Sequence, residues 1–259
     1  MILKIKYNLS RLLLLLLVLC LPLFTLAQDA PALFEKGNEQ FAKEKYKDAI
    51  ASYQKIINEG YQSAMVYFNL GNAFYKSGDI PSALLYYEKA HKLAPGDDDI
   101  NFNIRLANSK TIDKIEEEPE FFIVSWWNAL ILSFSTHSLA LISVLLFIAG
   151  FGVLIYYLFA QSVSLKRASF YGSISLLFLG LVTIFIASRQ THYFDSHHQG
   201  IIFGSTVKVK SEPTDTSKDL FVIHEGTKVE VTDTQNGWTK VGLVNGNTGW
   251  VRVADIKEI

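Results

Sequence analysis

The chain has 259 residues, of which 49% are hydrophobic and only 19% charged, with a net charge of −1 and a mean hydropathy of +0.20. That balance is greasier than one soluble domain needs, so membrane segments are expected, and no stretch is basic enough to neutralise a run of phosphates, which argues against nucleic acid as a partner. The one cysteine, Cys20, cannot alone form an internal disulfide or a thiolate metal site.

Residues 1–27 carry the parts of a secretory signal: Lys4, Lys6 and Arg11, then an apolar run over 12–19, then Thr25 and Ala27. Cleavage is predicted after Ala27. Leu19 stands where a lipoprotein signal before Cys20 needs a small residue, so lipidation is not expected.

The region 28–120, with a net charge of −5, contains an internal repeat. A shift of 34 residues superposes Gly37 on Gly71, Asn38 on Asn72, Phe41 on Tyr75, Ala49 on Ala83 and Tyr53 on Tyr87. The second unit reads Tyr67, Leu70, Gly71, Phe74, Gly78, Ala83, Tyr87, Ala90, Pro95. Gly71 and Ala83 are small where two antiparallel helices cross closely, the aromatics fill the space beside them, and Gly78 with Asp79 makes the turn. The pattern resembles the tetratricopeptide repeat (TPR), which implies an α-helical solenoid with repeats at about 30–63 and 64–97 and a capping helix at about 98–110. The first unit departs from the pattern, with Lys36 for the leucine and Glu44 for the turn glycine.

A solenoid of that family binds peptides or protein partners in its concave groove. The expected groove residues are Phe34, Asn38, Phe41, Phe68, Asn69, Asn72, Tyr75, Lys76 and Asn103. Asparagine both donates to and accepts from an extended backbone, which makes the asparagines binding candidates; the alternative is that they only cap or solvate helices. Asn38 and Asn69 fit the two asparagines of the clamp that holds a C-terminal carboxylate, but Phe34 and Asp99 stand where that clamp needs basic residues.

After an acidic linker at 111–120, residues 121–137 form an apolar stretch interrupted by Ser125, Trp126, Trp127, Asn128 and Ser133. Paired indoles with polar neighbours suit the headgroup layer, so an interfacial helix is expected, with a third span as the alternative. Residues 138–160 and 168–187 are uncharged runs long enough to cross a bilayer. Lys166 and Arg167 place the short loop 161–167 in the cytoplasm by the positive-inside rule, and the signal independently puts both hydrophilic parts outside. A juxtamembrane linker is expected at 188–199.

From residue 200 the period becomes alternating, with five short β-rich runs around Val207, Val222, Val229, Val241 and Val251, separated by turns such as Asn236-Gly237. Five short strands in sixty residues predict a small all-β barrel. The segments 207–213, 224–229, 237–241 and 248–251 resemble the bacterial SH3 (SH3b) family, whose members bind cell-wall peptides or protein segments. Trp238 and Trp250 are its ligand candidates; the alternative places both indoles in the core.

No catalytic motif is recognisable, so no enzyme activity and no cofactor are expected. His192, Asp195, His197 and His198 lie close in sequence but in no known ligand spacing, and no metal site is assigned. The order of modules, a multidomain membrane protein with signal, TPR solenoid, two-helix transmembrane hairpin and SH3b barrel, resembles the BatE family of the Bacteroides aerotolerance (Bat) operon. That resemblance implies a non-enzymatic scaffold in the bacterial cytoplasmic (inner) membrane, acting beside von Willebrand factor A-domain Bat proteins and a MoxR-type AAA+ ATPase in oxygen tolerance or envelope stress. A cell-wall sensor that binds peptidoglycan through the barrel is the alternative.

Overall fold

The computed structural model describes residues 29–115 and 121–259. The signal segment 1–27 and the acidic residues 116–120 lie outside the described residues. From Leu33 onward the chain forms one compact unit.

Five helices make the solenoid: α1 (Asp29–Ala42), α2 (Tyr46–Asn58), α3 (Ala64–Ser77), α4 (Ile80–Leu93) and α5 (Asp98–Asn108). The small residues act as the repeat pattern requires. A Cβ on Gly71 would sit 2.6 Å from the Tyr87 ring, and one on Gly37 would sit 2.5 Å from Tyr53, so each glycine admits one aromatic ring at the helix crossing. Gly78 ends α3 in the left-handed region at φ 89°, and Asp79 then caps α4 by accepting from the Ser82 amide at 3.0 Å. In the first unit the equivalent turn is made by Glu44 at φ 58°, so the missing glycine is replaced by a strained residue rather than by a different turn.

Three further helices follow: α6 (Phe122–Ile131), α7 (Thr136–Phe159) and α8 (Val163–Ser196). The last two are long and apolar enough to cross a membrane. They pack through small residues. Gly150 lies against Leu177, Gly180 against Phe147, and the fully buried Ser173 donates its hydroxyl to the Gly150 carbonyl at 2.9 Å. Their outward faces expose Leu141, Leu145, Ile148, Phe178 and Leu181, surface that suits hydrocarbon and not water.

The helix boundaries differ from the sequence expectation at two places. Lys166 and Arg167, expected in a loop, lie in the first turns of α8, and only residues 160–162 separate the two long helices. The expected linker at 188–199 is instead helical as far as Ser196. Tertiary contacts hold this extension: Gln190 is fully buried, and Phe194 packs edge-on to His91 of α4 with ring centroids 6.2 Å apart.

The C-terminal sheet has seven strands rather than five: β1 (Gln199–Ile202), β2 (Thr206–Lys210), β3 (Asp219–His224), β4 (Lys228–Gln235), β5 (Trp238–Gly242), β6 (Thr248–Arg252) and β7 (Ile256–Glu258). Their order is β3-β2-β6-β5-β4-β1-β7, all antiparallel. Asn236 and Gly237, at φ 52° and 79°, form the tight turn between β4 and β5. The barrel core holds Ile202, Val207, Val209, Ile223, Val229, Val241 and Val251.

The strand β1 belongs to two cores. Ile202 faces the barrel, while Ile201 is fully buried with Ala83, Leu84, Leu85, Tyr87 and Ala107 of the solenoid. Successive side chains of a strand point to opposite faces, so burial of both marks a strand sandwiched between modules. The solenoid and the barrel are therefore one packed body.

Candidate functional site

The groove is built on a hydrogen-bonded unit that occurs twice. Asn38 Oδ1 accepts from the Tyr53 hydroxyl at 2.8 Å and from Asn69 Nδ2 at 3.0 Å. One repeat later, Asn72 Oδ1 accepts from the Tyr87 hydroxyl at 2.7 Å and from Asn103 Nδ2 at 2.8 Å. Each tyrosine comes from the second helix of a unit, and each donor asparagine from the first helix of the next unit or from the capping helix. The candidate asparagines thus join neighbouring helices. Burial, with Glu35 nearby, pushes the Tyr53 phenol up to about 12 against the opposing Asn69 amide, and burial also raises Tyr87. Both phenols therefore remain protonated donors at neutral pH.

Each acceptor oxygen has both lone pairs occupied, so of the Asn38 and Asn72 amides only the N–H groups lie outside this network. A cavity of about 100 Å³ is lined by Asn38, Phe41, Tyr53, Asn69 and Asn72. A larger one of about 500 Å³ adjoins it and includes Phe34, Asn38, Met65, Phe68, Asn69, Asp97, Asp99 and Ile100 in its wall. Six of the nine sequence candidates line one cavity or the other. Asn103 joins the network through Asn72. Tyr75 packs against the solenoid core, and Lys76 is exposed outside both cavities.

Trp238 and Trp250 are buried in the barrel, with 7% and 9% of their surface exposed, and the Arg252 guanidinium lies 5.0 Å from the Trp238 ring centroid. Among the described residues no group of three or more His, Cys, Asp or Glu side chains is placed to hold a metal. His197 instead contacts the Tyr193 carbonyl through Nδ1 at 2.8 Å.

Two polar contacts that the sequence does not announce fix the barrel to the solenoid. Asp113 follows α5 and receives three hydrogen bonds: the His224 amide at 2.7 Å, the Thr227 hydroxyl at 2.6 Å and His224 Nδ1 at 2.8 Å. Burial opposes ionisation of Asp113, but the bonds from Thr227 and His224 outweigh it and hold the carboxyl below the usual carboxylate range. Lys228 Nζ reaches Glu88 Oε2 at 2.8 Å, and the Glu88 side chain is only 5% exposed. His91, one turn from Glu88, is pushed below the ordinary imidazole value by burial; Lys228 acts in the same direction, against Glu88 and a contact of 2.8 Å to Asn101 Oδ1.

A third contact holds α6 to the long helices. Gln190 Nε2 donates to the carbonyls of Ile131 and Phe134, each at 2.7 Å, and its Oε1 accepts from the Thr136 hydroxyl at 2.5 Å. The last carbonyl of α6 and the Phe134 carbonyl in the turn after it are thereby satisfied. On its other side α6 leaves Phe122, Ile123 and Trp126 between 58% and 80% exposed. The solenoid rests on the same turn: a Cβ on Gly96 would lie 2.1 Å from the Ser133 carbonyl oxygen.

Comparison with known proteins identifies two modules. Residues 64–97 match the tetratricopeptide repeat model, and residues 205–257 match the bacterial SH3 domain model. The Hsp70-Hsp90 organizing protein of Triticum aestivum is 39% identical over 61 residues, which is 24% of this chain and 10% of that protein. This chain thus spans only about a tenth of that relative's length. Among solved structures, the Sgt2 TPR domain from Aspergillus fumigatus covers 63% of this chain and 83% of its own, at 16% identity and a TM-score of 0.30. A TPR repeats protein from Bacteroides fragilis covers 65% and 79%, at 16% identity and a TM-score of 0.29. The chain carries a tetratricopeptide repeat and a bacterial SH3 domain, two interaction modules, with two helices between them that are long and apolar enough to cross a membrane.

Proposed function

We propose that this protein is a non-enzymatic, membrane-anchored scaffold that holds a segment of a partner protein in the solenoid groove, while the barrel braces the solenoid from behind. The observation that carries the reading is the twice-repeated Asn–Tyr–Asn unit, which fixes the first helices of the units and leaves amide donors beside two cavities, the larger with an apolar wall. A preformed groove loses less conformational freedom when a ligand binds. The wheat relative is named as an organiser of two other proteins, which agrees with a binding role for the matched repeat.

Both modules belong to the outward side of a bacterial cytoplasmic membrane, after removal of residues 1–27. Contact between solenoid and barrel supports this topology, because touching modules lie on one side and the chain between them then crosses an even number of times. That parity supports α6 as an interfacial helix and α7 with α8 as the hairpin. By its resemblance to the BatE family, the partner is a von Willebrand factor A-domain Bat protein or a component working with a MoxR-type ATPase, in aerotolerance or envelope stress.

The test is site-specific photocrosslinking in cells with the full chain. A photoreactive residue at Met65, which is 62% exposed on the groove wall, is expected to trap one of those proteins, whereas one at Lys47, outside both groove cavities, is not. Equal trapping at both positions, or none, contradicts the reading.

A further inference from the structure

The charge and chemistry of the larger groove cavity point to its ligand. Resting on the reading that the groove holds a partner segment, we propose that this segment is an internal, extended stretch with a large apolar side chain flanked by lysine or arginine, and not a terminal carboxylate.

The cavity of about 500 Å³ is in the range that accepts a large side chain together with its backbone. Phe34, Met65, Phe68 and Ile100 give it an apolar wall, and among the described residues Asp97 and Asp99 form its only charged edge, with no lysine or arginine in the lining. Asp97 is held in place, since its Oδ1 accepts from the Asp99 and Ile100 amides at 3.0 and 3.1 Å and so caps α5. The positive end of α5 offsets roughly half a charge at that edge, too little to cancel two carboxylates. An incoming carboxylate would meet two like charges and no cation, whereas a lysine or arginine would meet complementary charge.

The asparagines agree with this assignment. Asn38 Oδ1 is fully engaged by Tyr53 and Asn69, so Asn38 offers a ligand only N–H groups, which suit the carbonyls of a continuing peptide chain. A segment lying along them would place one side chain in the cavity and its neighbours at the acidic edge.

Fluorescence anisotropy on the detergent-solubilised full chain tests this with two labelled probes, both acetylated and amidated: a phenylalanine flanked by lysines and the same peptide flanked by glutamates. The lysine probe is expected to bind at least tenfold more tightly, with affinity falling as salt rises. Asp99→Lys should abolish that preference, because the side chain is exposed and the cap on its amide comes from Asp97. Met65→Lys, also at an exposed position, should weaken the lysine probe without lowering the melting temperature. Equal affinity for the two probes, or preference for the glutamate probe, overturns the charge assignment and leaves the groove reading standing. Binding of neither probe while Met65 still crosslinks a partner overturns the assignment as well, and binding of neither with no crosslink overturns both.

Discussion

Asp113 grips His224 twice, through the backbone amide at 2.7 Å and through the imidazole at 2.8 Å, across 111 residues of sequence. The carboxylate caps the end of β3, and the Thr227 hydroxyl gives it a third donor at 2.6 Å. One side chain from the segment after the solenoid thus organises the turn between β3 and β4.

Acid should loosen this junction. The folded carboxyl lies below its ordinary value of about 3.9, so its stabilisation is fully present above that value and is lost as pH falls through the depressed one. Protection of the His224 amide against hydrogen exchange, relative to its intrinsic rate at each pH, should fall below about pH 4 in the native chain. Asp113→Asn should raise that exchange at neutral pH, at a cost of roughly 1–3 kcal/mol, and remove the acid dependence. An unchanged exchange rate in the variant would show that the contact contributes little.

Two substitutions in the solenoid should act with opposite signs. Gly71→Ala puts a methyl group against the Tyr87 ring, which is buried and tied to Asn72 and so cannot retreat. A loss of about 1–3 kcal/mol is expected despite alanine's better helix propensity. Glu44→Gly relieves a left-handed residue and should stabilise by up to about 1 kcal/mol. Thermal melts of the solubilised full chain check both.

Gln190→Leu should free α6. The variant keeps the bulk of the side chain but leaves the Ile131 and Phe134 carbonyls without their donor, at a cost of about 1–3 kcal/mol. Trp127, which packs near Phe185 at 6.4 Å between ring centroids, reports the change. The part of the fluorescence that Trp127→Phe removes should shift in the variant reconstituted in bilayers, and an identical difference spectrum would contradict the clamp.

The parts of this fold that repeat or alternate are legible in the sequence, and the parts made by single long-range contacts are not. The period of 34 residues carries the solenoid, because Gly71 with Tyr87 and Gly37 with Tyr53 solve the same packing problem twice. Uncharged length carries the hairpin, and alternation carries β2 to β6. By contrast β1 is a four-residue strand with Ile201 and Ile202 buried on opposite sides, so it shows no alternation to read. The helical extension through Gln190 to Ser196 is largely polar and gives no helical stripe; its support is the turn after α6 at Gln190 and His91 of the solenoid at Phe194. The groove asparagines were legible as a set, but their mutual bonding was not, since Asn38 meets Asn69 only once the two units stack.

The shared side of solenoid and barrel is tested most directly by labelling single cysteines in intact spheroplasts with a membrane-impermeant maleimide. Cysteines replacing Met65 in the solenoid and Val244 in the barrel, exposed by 62% and 52%, should both react before lysis, whereas one replacing Ser164 near the start of α8 should react only after it. Reaction of Met65 and Val244 positions from opposite sides of the membrane would contradict the docked, outward-facing scaffold.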